Sequence, residues 1–267
     1  MLEQKSAEIV SLDKNQAWVN IRQEAAIAAA QEPMLASFLH STILHHNSFA
    51  EALSFRLAQK LGDSEMHAVL WREIINEAFE AAPDIVEAAL ADIEAVKTRD
   101  PACRNYLQPL LYFKGYQTLQ SYRVAHWLWY NDREPLALFM QSRLSELFAV
   151  DIHPAAEIGS GVMIDHATAI VIGETAVVGN NVSILHNVTL GGTGKTEGDR
   201  HPKISDGVMI GAGAKVLGNI KVGEGAKIAA GSLVLTEVPP RCTFAGVPAK
   251  PVGDCCPEPA EAMDQGI

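Results

Sequence analysis

The sequence predicts an α+β chain, with an all-α N-terminal half followed by a parallel β-helix. Three observations predict it. Between Ile152 and about Val238, aliphatic residues recur every six positions, the mark of a parallel β-helix. Before about residue 148 the apolar spacing is instead close to 3.6. Where one rhythm replaces the other, Gly and Val rise and the long helical stripes stop. The expected organisation is a helical domain over 1–148, a β-helix over 149–250 and a flexible acidic tail over 251–267.

In the helical half, residues 49–61 put Phe49, Leu53, Leu57 and Leu61 on one stripe at i, i+4 spacing. Residues 69–79 separate an apolar face from a charged one. The segment 83–97 opens with Pro83 and Asp84, where a missing N–H and a negative charge suit a helix start. Residues 106–130 are rich in Leu, Tyr and Trp, as a buried helix or helix–helix interface would be. Ser11, Asp63 and Asp100 are expected as caps or turn residues.

In the second half the beats are Ile152, Ile158, Ile164, Ile172, Val178, Ile184, Leu190, Ile204, Ile210, Val216, Val222, Ile228 and Val234. Small or β-branched residues follow four places later, as at Val162, Thr168, Ala176 and Val182. Three six-residue units close one triangular coil, and the beat residue points inward because a buried aliphatic column stabilises a solenoid. Two interruptions stand out. Ile164 to Ile172 spans eight residues, and Leu190 to Ile204 spans fourteen. The second gap is polar and Gly-rich, so it loops out of the coil, and such loops are more often functional than accidental.

Bulk properties narrow the function. A net charge of -11 over 267 residues argues against nucleic acid or an anionic membrane as partner. No apolar run approaches the roughly 20 residues of a membrane span. The start MLEQKSAEIV lacks the pattern of a secretory signal. Cys103, Cys242, Cys255 and Cys256 form no CxxC pair and no disulfide framework. The expectation is a soluble, cytoplasmic protein.

Stepping one coil at a time stacks His166, His186, Ala212 and Ala230 in one outward column. A neighbouring column holds Glu174, Gly192 and Gly218. A long thin ligand could lie along the small residues with its reactive end at the histidines. His166 is therefore a candidate general base, because imidazole exchanges protons near neutral pH. Such a base needs a carboxylate to fix its tautomer. Asp151 and Asp165 are the candidates, and Asp151 is favoured because a strand would point Asp165 the other way. Arg200 and His201, in the looped-out segment, could capture an anion, since guanidinium matches carboxylate bidentately. Asp100 could hold an ammonium group. The stretch GGTGK at 191–195 lacks the full phosphate-loop frame, which discounts nucleotide hydrolysis.

The run DIHPAAEIGSGVMIDHATAIVIGETAVVGNNVSILHNVTLGGTGK, followed by DRHPKI and GVPAK, closely resembles bacterial serine acetyltransferases, a family of hexapeptide-repeat acyltransferases. The resemblance covers nearly the whole chain and includes TRDPAC in the helical half. It implies a left-handed coil and transfer of acetyl from acetyl-CoA to the L-serine hydroxyl, a step toward cysteine. It implies His166 as base with Asp151 as its partner, and direct attack on the thioester. Asp100, Asp165, Arg200 and His201 match its positions for the amino acid. Gly192, Ala212 and Ala230 match its coenzyme channel, with Lys250 near the coenzyme phosphates. No metal is required. It further implies a homohexamer built as a dimer of trimers, and inhibition by cysteine. It also implies binding of O-acetylserine sulfhydrylase through the terminal Ile267. Alternatives are a zinc carbonic anhydrase drawing on His153, His166, His186 and His201, a sugar acetyltransferase, and a non-enzymatic scaffold.

Overall fold

A computed structural model describes residues 14–194, 197–254, 257–264 and 266. Ser11, Cys255, Cys256 and Ile267 lie outside the described residues. Among the described residues eight α-helices precede the first strand: α1 (Lys14–Gln31), α2 (Ala36–Leu39), α3 (Phe49–Leu61), α4 (Ala68–Ala81), α5 (Asp84–Arg99), α6 (Leu107–Tyr112), α7 (Lys114–Tyr130) and α8 (Glu134–Phe148). No described helix is long and apolar enough to cross a membrane.

Each helix follows its local chemistry. α3 starts where Ser48 Oγ accepts from the Glu51 N–H at 3.2 Å, a side-chain cap on an otherwise orphan donor. Its stripe Phe49, Leu53, Leu57 and Leu61 is buried against α4. α4 contributes Trp71, Ile75 and Ala78, all fully buried. The dense segment 106–130 forms two helices, and α7 is buried along most of its length. Asp63 is a turn residue, with Oδ1 accepting from the Met66 N–H at 2.9 Å. α8 ends at Phe148, and Ala149 in a left-handed conformation (φ 56°) redirects the chain into the first strand.

The second half is a left-handed parallel β-helix. Its first coil holds β1 (Val150–Ile152), β2 (Glu157–Ile158) and β3 (Met163–Ile164). The second holds β4 (Ile170–Ile172), β5 (Val177–Val178) and β6 (Ser183–Ile184), and the third β7 (Thr189–Gly191), β8 (Lys203–Ile204) and β9 (Met209–Ile210). Then come β10 (Lys215–Leu217), β11 (Lys221–Val222), β12 (Lys227–Ile228), β13 (Leu233–Val234), β14 (Cys242–Gly246) and β15 (Ala249–Asp254). They form three sheets: β1-β4-β7-β10-β13, then β2-β5-β8-β11, then β3-β6-β9-β12-β14-β15. Here they are called the first, second and third sheet.

The pairing register is the one the six-residue beat predicts. Ile152 pairs with Ile172 and Ile172 with Leu190, and Ile164 pairs with Ile184 and Ile184 with Ile210. Twelve of the thirteen beat residues are buried, with Ile158 partly exposed. Each such aliphatic contributes about 1.5–3 kcal/mol by leaving water. Thr168, four places after Ile164, is exposed. The two inserted residues shift the register, and Ala167 is buried instead.

The two halves are joined by a buried charge network. Asp92 is fully buried. Its Oδ2 accepts from Arg123 at 2.7 Å and from Gln120 Nε2 at 2.9 Å, and its Oδ1 from the Val162 N–H at 2.8 Å. Arg123 also donates to the Gly159 carbonyl at 2.7 Å. α5 and α7 are thereby fixed to the first coil.

The expectation of a flexible tail from residue 251 is corrected at two points. Residues up to Asp254 belong to β15, which runs antiparallel to β14. A short helix α9 (Pro259–Ala262) then lies against α5. Ser183 Oγ donates to the buried Ala260 carbonyl at 2.8 Å, and Lys227 donates to the Gly266 carbonyl. Met263 packs near Val96, Cys103 and Met163. Acidity alone suggested a free tail, but Pro259, Ala260 and Met263 have apolar surface to bury.

Candidate active site

Two edges of the triangular coil carry the candidate residues. The first edge is the turn that leaves the third sheet after Ile164 and enters the first sheet at Ile170. His166, Ala167 and Ala169 there all have positive φ, at 56°, 60° and 61°. Residues with a Cβ pay for that conformation, so the turn is held by other contacts. The Ala167 N–H donates to the Asp165 carbonyl at 2.6 Å, and the Thr168 N–H to the His166 carbonyl at 2.7 Å. The Ala169 N–H donates to the Ala149 carbonyl at 2.7 Å.

This turn pushes His166 outward, with 75% of its side chain exposed. Its Nε2 lies 3.6 Å from Asp165 Oδ2. The expectation that Asp165 points away assumed an extended chain, but β3 ends at Ile164 and the turn folds the carboxylate back toward the ring. The His186 ring sits 5.8 Å from that of His166, nearly edge to face. Asp100 caps the C-terminal end of α5 and accepts from the Ala102 N–H at 2.8 Å. Burial raises the pKa of Asp165, with His166 opposing and the Asp100 charge adding to the rise. Asp100, Asp165, His166 and His186 are thus one electrostatic cluster.

The column above the histidines has the predicted order. Ile184 pairs with Ile210, Ile210 with Ile228 and Ile228 with Phe244, so positions 186, 212, 230 and 246 stack two residues beyond them. Ala212, Ala230 and Gly246 leave it without bulky side chains. Four steps of about 4.8 Å give a strip of about 19 Å from His166 to Gly246. Lys250, exposed on β15 and paired with Ala245, stands at the far end.

The second edge lies between the first and second sheets. Arg200 reaches Glu174 with a 2.6 Å ion pair. Thr175 organises the loop, because its Oγ1 accepts from the N–H groups of Arg200 at 3.0 Å and His201 at 3.1 Å. The Thr175 N–H in turn donates to His201 Nδ1 at 3.1 Å. His201 is only 7% exposed. A Cβ on Gly173 would fall 2.0 Å from His201 Nε2, so glycine is required for this close approach. Burial lowers the His201 pKa, helped by the Arg200 charge. The hydrogen bond to Arg200 holds the Glu174 carboxyl below its usual range. Gly192 lies beside the Arg200 side chain.

Asp151 points outward from β1, and its Oδ1 accepts from Gln141 Nε2 at 2.7 Å. It acts on His153, whose pKa is lowered by burial and drawn back up by Glu174 and Asp151. Among the described residues, Asp151 and His166 form no ion pair within one chain. Nor does one chain bring Arg200 and His201 to His166, because the first sheet, about 10 Å wide at three residues per strand, separates the edges. Sequence reasoning missed Thr175. The legible signal was its place directly after Glu174, whose column passes through Gly192 at the start of the long loop.

The coil, its bare column and the exposed histidine at the column's foot define an acyltransferase of the hexapeptide-repeat class. Residues 201–236 match the family model described as bacterial transferase hexapeptide (six repeats), and residues 17–121 match serine acetyltransferase, N-terminal. The chain is 58% identical over 249 residues to the serine acetyltransferase of Salmonella typhimurium, covering 93% of this chain and 91% of that one. It superposes with a TM-score of 0.94 on a serine acetyltransferase in complex with cysteine, at 55% identity over 95% of this chain and 99% of that one. A Brucella abortus serine acetyltransferase in complex with coenzyme A gives 0.89, at 51% identity over 90% and 96%. The chain belongs to the serine acetyltransferase family.

Proposed function

We propose that this chain transfers the acetyl group of acetyl-CoA to the hydroxyl of L-serine, giving O-acetylserine and CoA on the route to cysteine. The carrying observation is His166, exposed 3.6 Å from the Asp165 carboxylate at the foot of a bare column. The serine hydroxyl is too weak an acid to ionise at neutral pH, so its proton must leave as the oxygen attacks. His166 takes that proton, and a positioned base of this kind is worth about 10²–10⁴ in rate. Attack on the thioester is direct, with no acyl-enzyme; the C–S bond breaks, and protonated His166 gives its proton to the departing sulfur so that CoA leaves as the thiol. Asp151 is assigned as the carboxylate that orients the imidazole.

Asp100 and Asp165 hold the serine ammonium, and Arg200 with His201 holds its carboxylate. These pairs sit on different edges of one coil, so the complete site forms where a second copy presents its Arg200 edge to the first copy's His166 edge. Closed heterologous contacts of this kind generate rings, here a trimer. The helical half then joins two trimers into a hexamer. The pantetheine arm lies along Gly192, Ala212 and Ala230, with Lys250 toward the phosphates. Cysteine carries the same ammonium and carboxylate as serine, so it competes for the same clamp. The tail ending at Ile267 is assigned to O-acetylserine sulfhydrylase.

The test is acetyl-CoA consumption with serine, homoserine, a galactoside or no acceptor. Consumption with serine well above the rest is expected. Equal rates with the galactoside would replace this reading with a sugar acetyltransferase.

A further inference from the structure

The turn that carries His166 is strained, and its own strand does not explain why it holds. Three of its five residues are non-glycine positions at positive φ. Such conformations persist only where the surroundings over-determine them. The surroundings here come from the helical half.

α7 begins at Lys114, directly below the turn. Lys114 Nζ donates to Thr168 Oγ1 at 2.5 Å and to the Phe148 carbonyl at 3.2 Å. Thr168 Oγ1 lies 3.4 Å from the His166 carbonyl, to which the Thr168 N–H also donates at 2.7 Å. The next residue, Gly115, touches the end of β3, where a Cβ would fall 2.1 Å from the Ile164 carbonyl oxygen. The first turn of α7 therefore abuts the chain on both sides of Asp165 and His166. The Phe148 carbonyl is the last of α8, whose orphan carbonyls suit a cation. One ammonium thus links the ends of two helices to one side chain of the turn.

The second histidine has a parallel arrangement. His186 is followed by Asn187 at φ 57°, and Lys215 Nζ donates to both the Asn187 carbonyl and, at 3.1 Å, its Oδ1. There the lysine comes from the next coil. For the His166 turn the matching position of the next coil is Thr189, and the helical half supplies the lysine instead.

We propose that Lys114 is a positioning residue for the acetyl transfer. It acts through Thr168 to fix the backbone of His166, and so sets where the imidazole meets the serine hydroxyl. This rests on the reading of His166 as the base. A displacement of about 1 Å in a reacting group can cost on the order of 10²-fold in rate.

The experiment compares Lys114→Met, Lys114→Arg and Thr168→Val with the parent, alone and in a His166→Ala background. The readouts are kcat, the two KM values and the thermal midpoint. Lys114→Met should lower kcat by on the order of tenfold or more, while both KM values stay within about twofold. Thr168→Val should reproduce the loss, and Lys114→Arg should recover part of it. In the His166→Ala background, Lys114→Met should cost nothing further, because its effect runs through the imidazole. Parent-like kcat in Lys114→Met would overturn the proposal. So would a loss seen equally with and without His166, or a fall in thermal midpoint with kcat retained. Full activity of His166→Ala alone would instead overturn the assignment of the base, which keeps the two failures apart.

Discussion

The two edges of the coil use histidine in opposite ways. At the first, His166 is exposed on a strained turn, with one carboxylate 3.6 Å away. At the second, His201 is buried, its Nδ1 already accepting from the Thr175 N–H, and Arg200 is already paired with Glu174. The first edge leaves its imidazole open to solvent. The second fixes donors in place before any substrate arrives. A base must move its proton, whereas a clamp gains most from a rigid geometry whose ordering cost is met during folding.

The largest expected effect comes from breaking the first edge. His166→Ala should lower kcat by about 10²–10⁴, with the KM for acetyl-CoA nearly unchanged. Steady-state kinetics at saturating serine measures this. A loss below tenfold would move the base to another residue, and His186, 5.8 Å away, would be examined next.

A smaller signal tests whether the edges meet between copies. His166→Ala and Arg200→Ala are each expected to be nearly inactive. If one site takes its base from one subunit and its clamp from the next, co-expression and random assembly should restore activity at about a quarter of the sites. Separately purified variants mixed without exchange give the baseline. No recovery after confirmed co-assembly would place both edges in one chain's site.

Much of this contrast was legible in the sequence. The six-residue beat fixes which residues stack, so the column His166, His186, Ala212, Ala230 follows from counting once the two inserted residues are placed. The inserted residues themselves were not interpretable, because a spacing of eight does not say that three residues of the turn take positive φ. Asp165 shows the consequence. Strand alternation points it away from His166, and the turn brings it back. The second edge hid for a different reason. A polar, Gly-rich loop reads as solvated, yet Thr175 and Gly173 draw His201 into the coil by a hydrogen bond and a missing Cβ. Neither residue type announces such a role. The docked α9 was hidden as well, since net acidity outweighed three apolar side chains in the reading of the tail.

The smallest expected effect concerns the protonation of the buried histidine. Burial and Arg200 keep the His201 pKa below its ordinary value in the folded chain. In the unfolded chain it titrates near 6.5. As pH falls through that value, the unfolded state takes up the proton first, so stability falls with pH. Protonation would also remove the lone pair on Nδ1 that accepts from Thr175. Asp165 runs the other way, because its pKa is raised and its folded form binds a proton more readily than the unfolded chain. Its share of stability is present in acid and lost as pH rises through the folded value. The two edges therefore titrate with opposite sign. From pH 7.5 to 5.5 the thermal midpoint of the parent should drop by about 1–4 °C more than that of His201→Gln, a small shift for a chain of this size. His46, also held below its ordinary range by burial, lies apart from this edge and cancels, whereas His153 acts on His201 and belongs to the same response. Parallel curves would mean that burial does not hold back protonation of His201, and the contrast between the edges would rest on geometry alone.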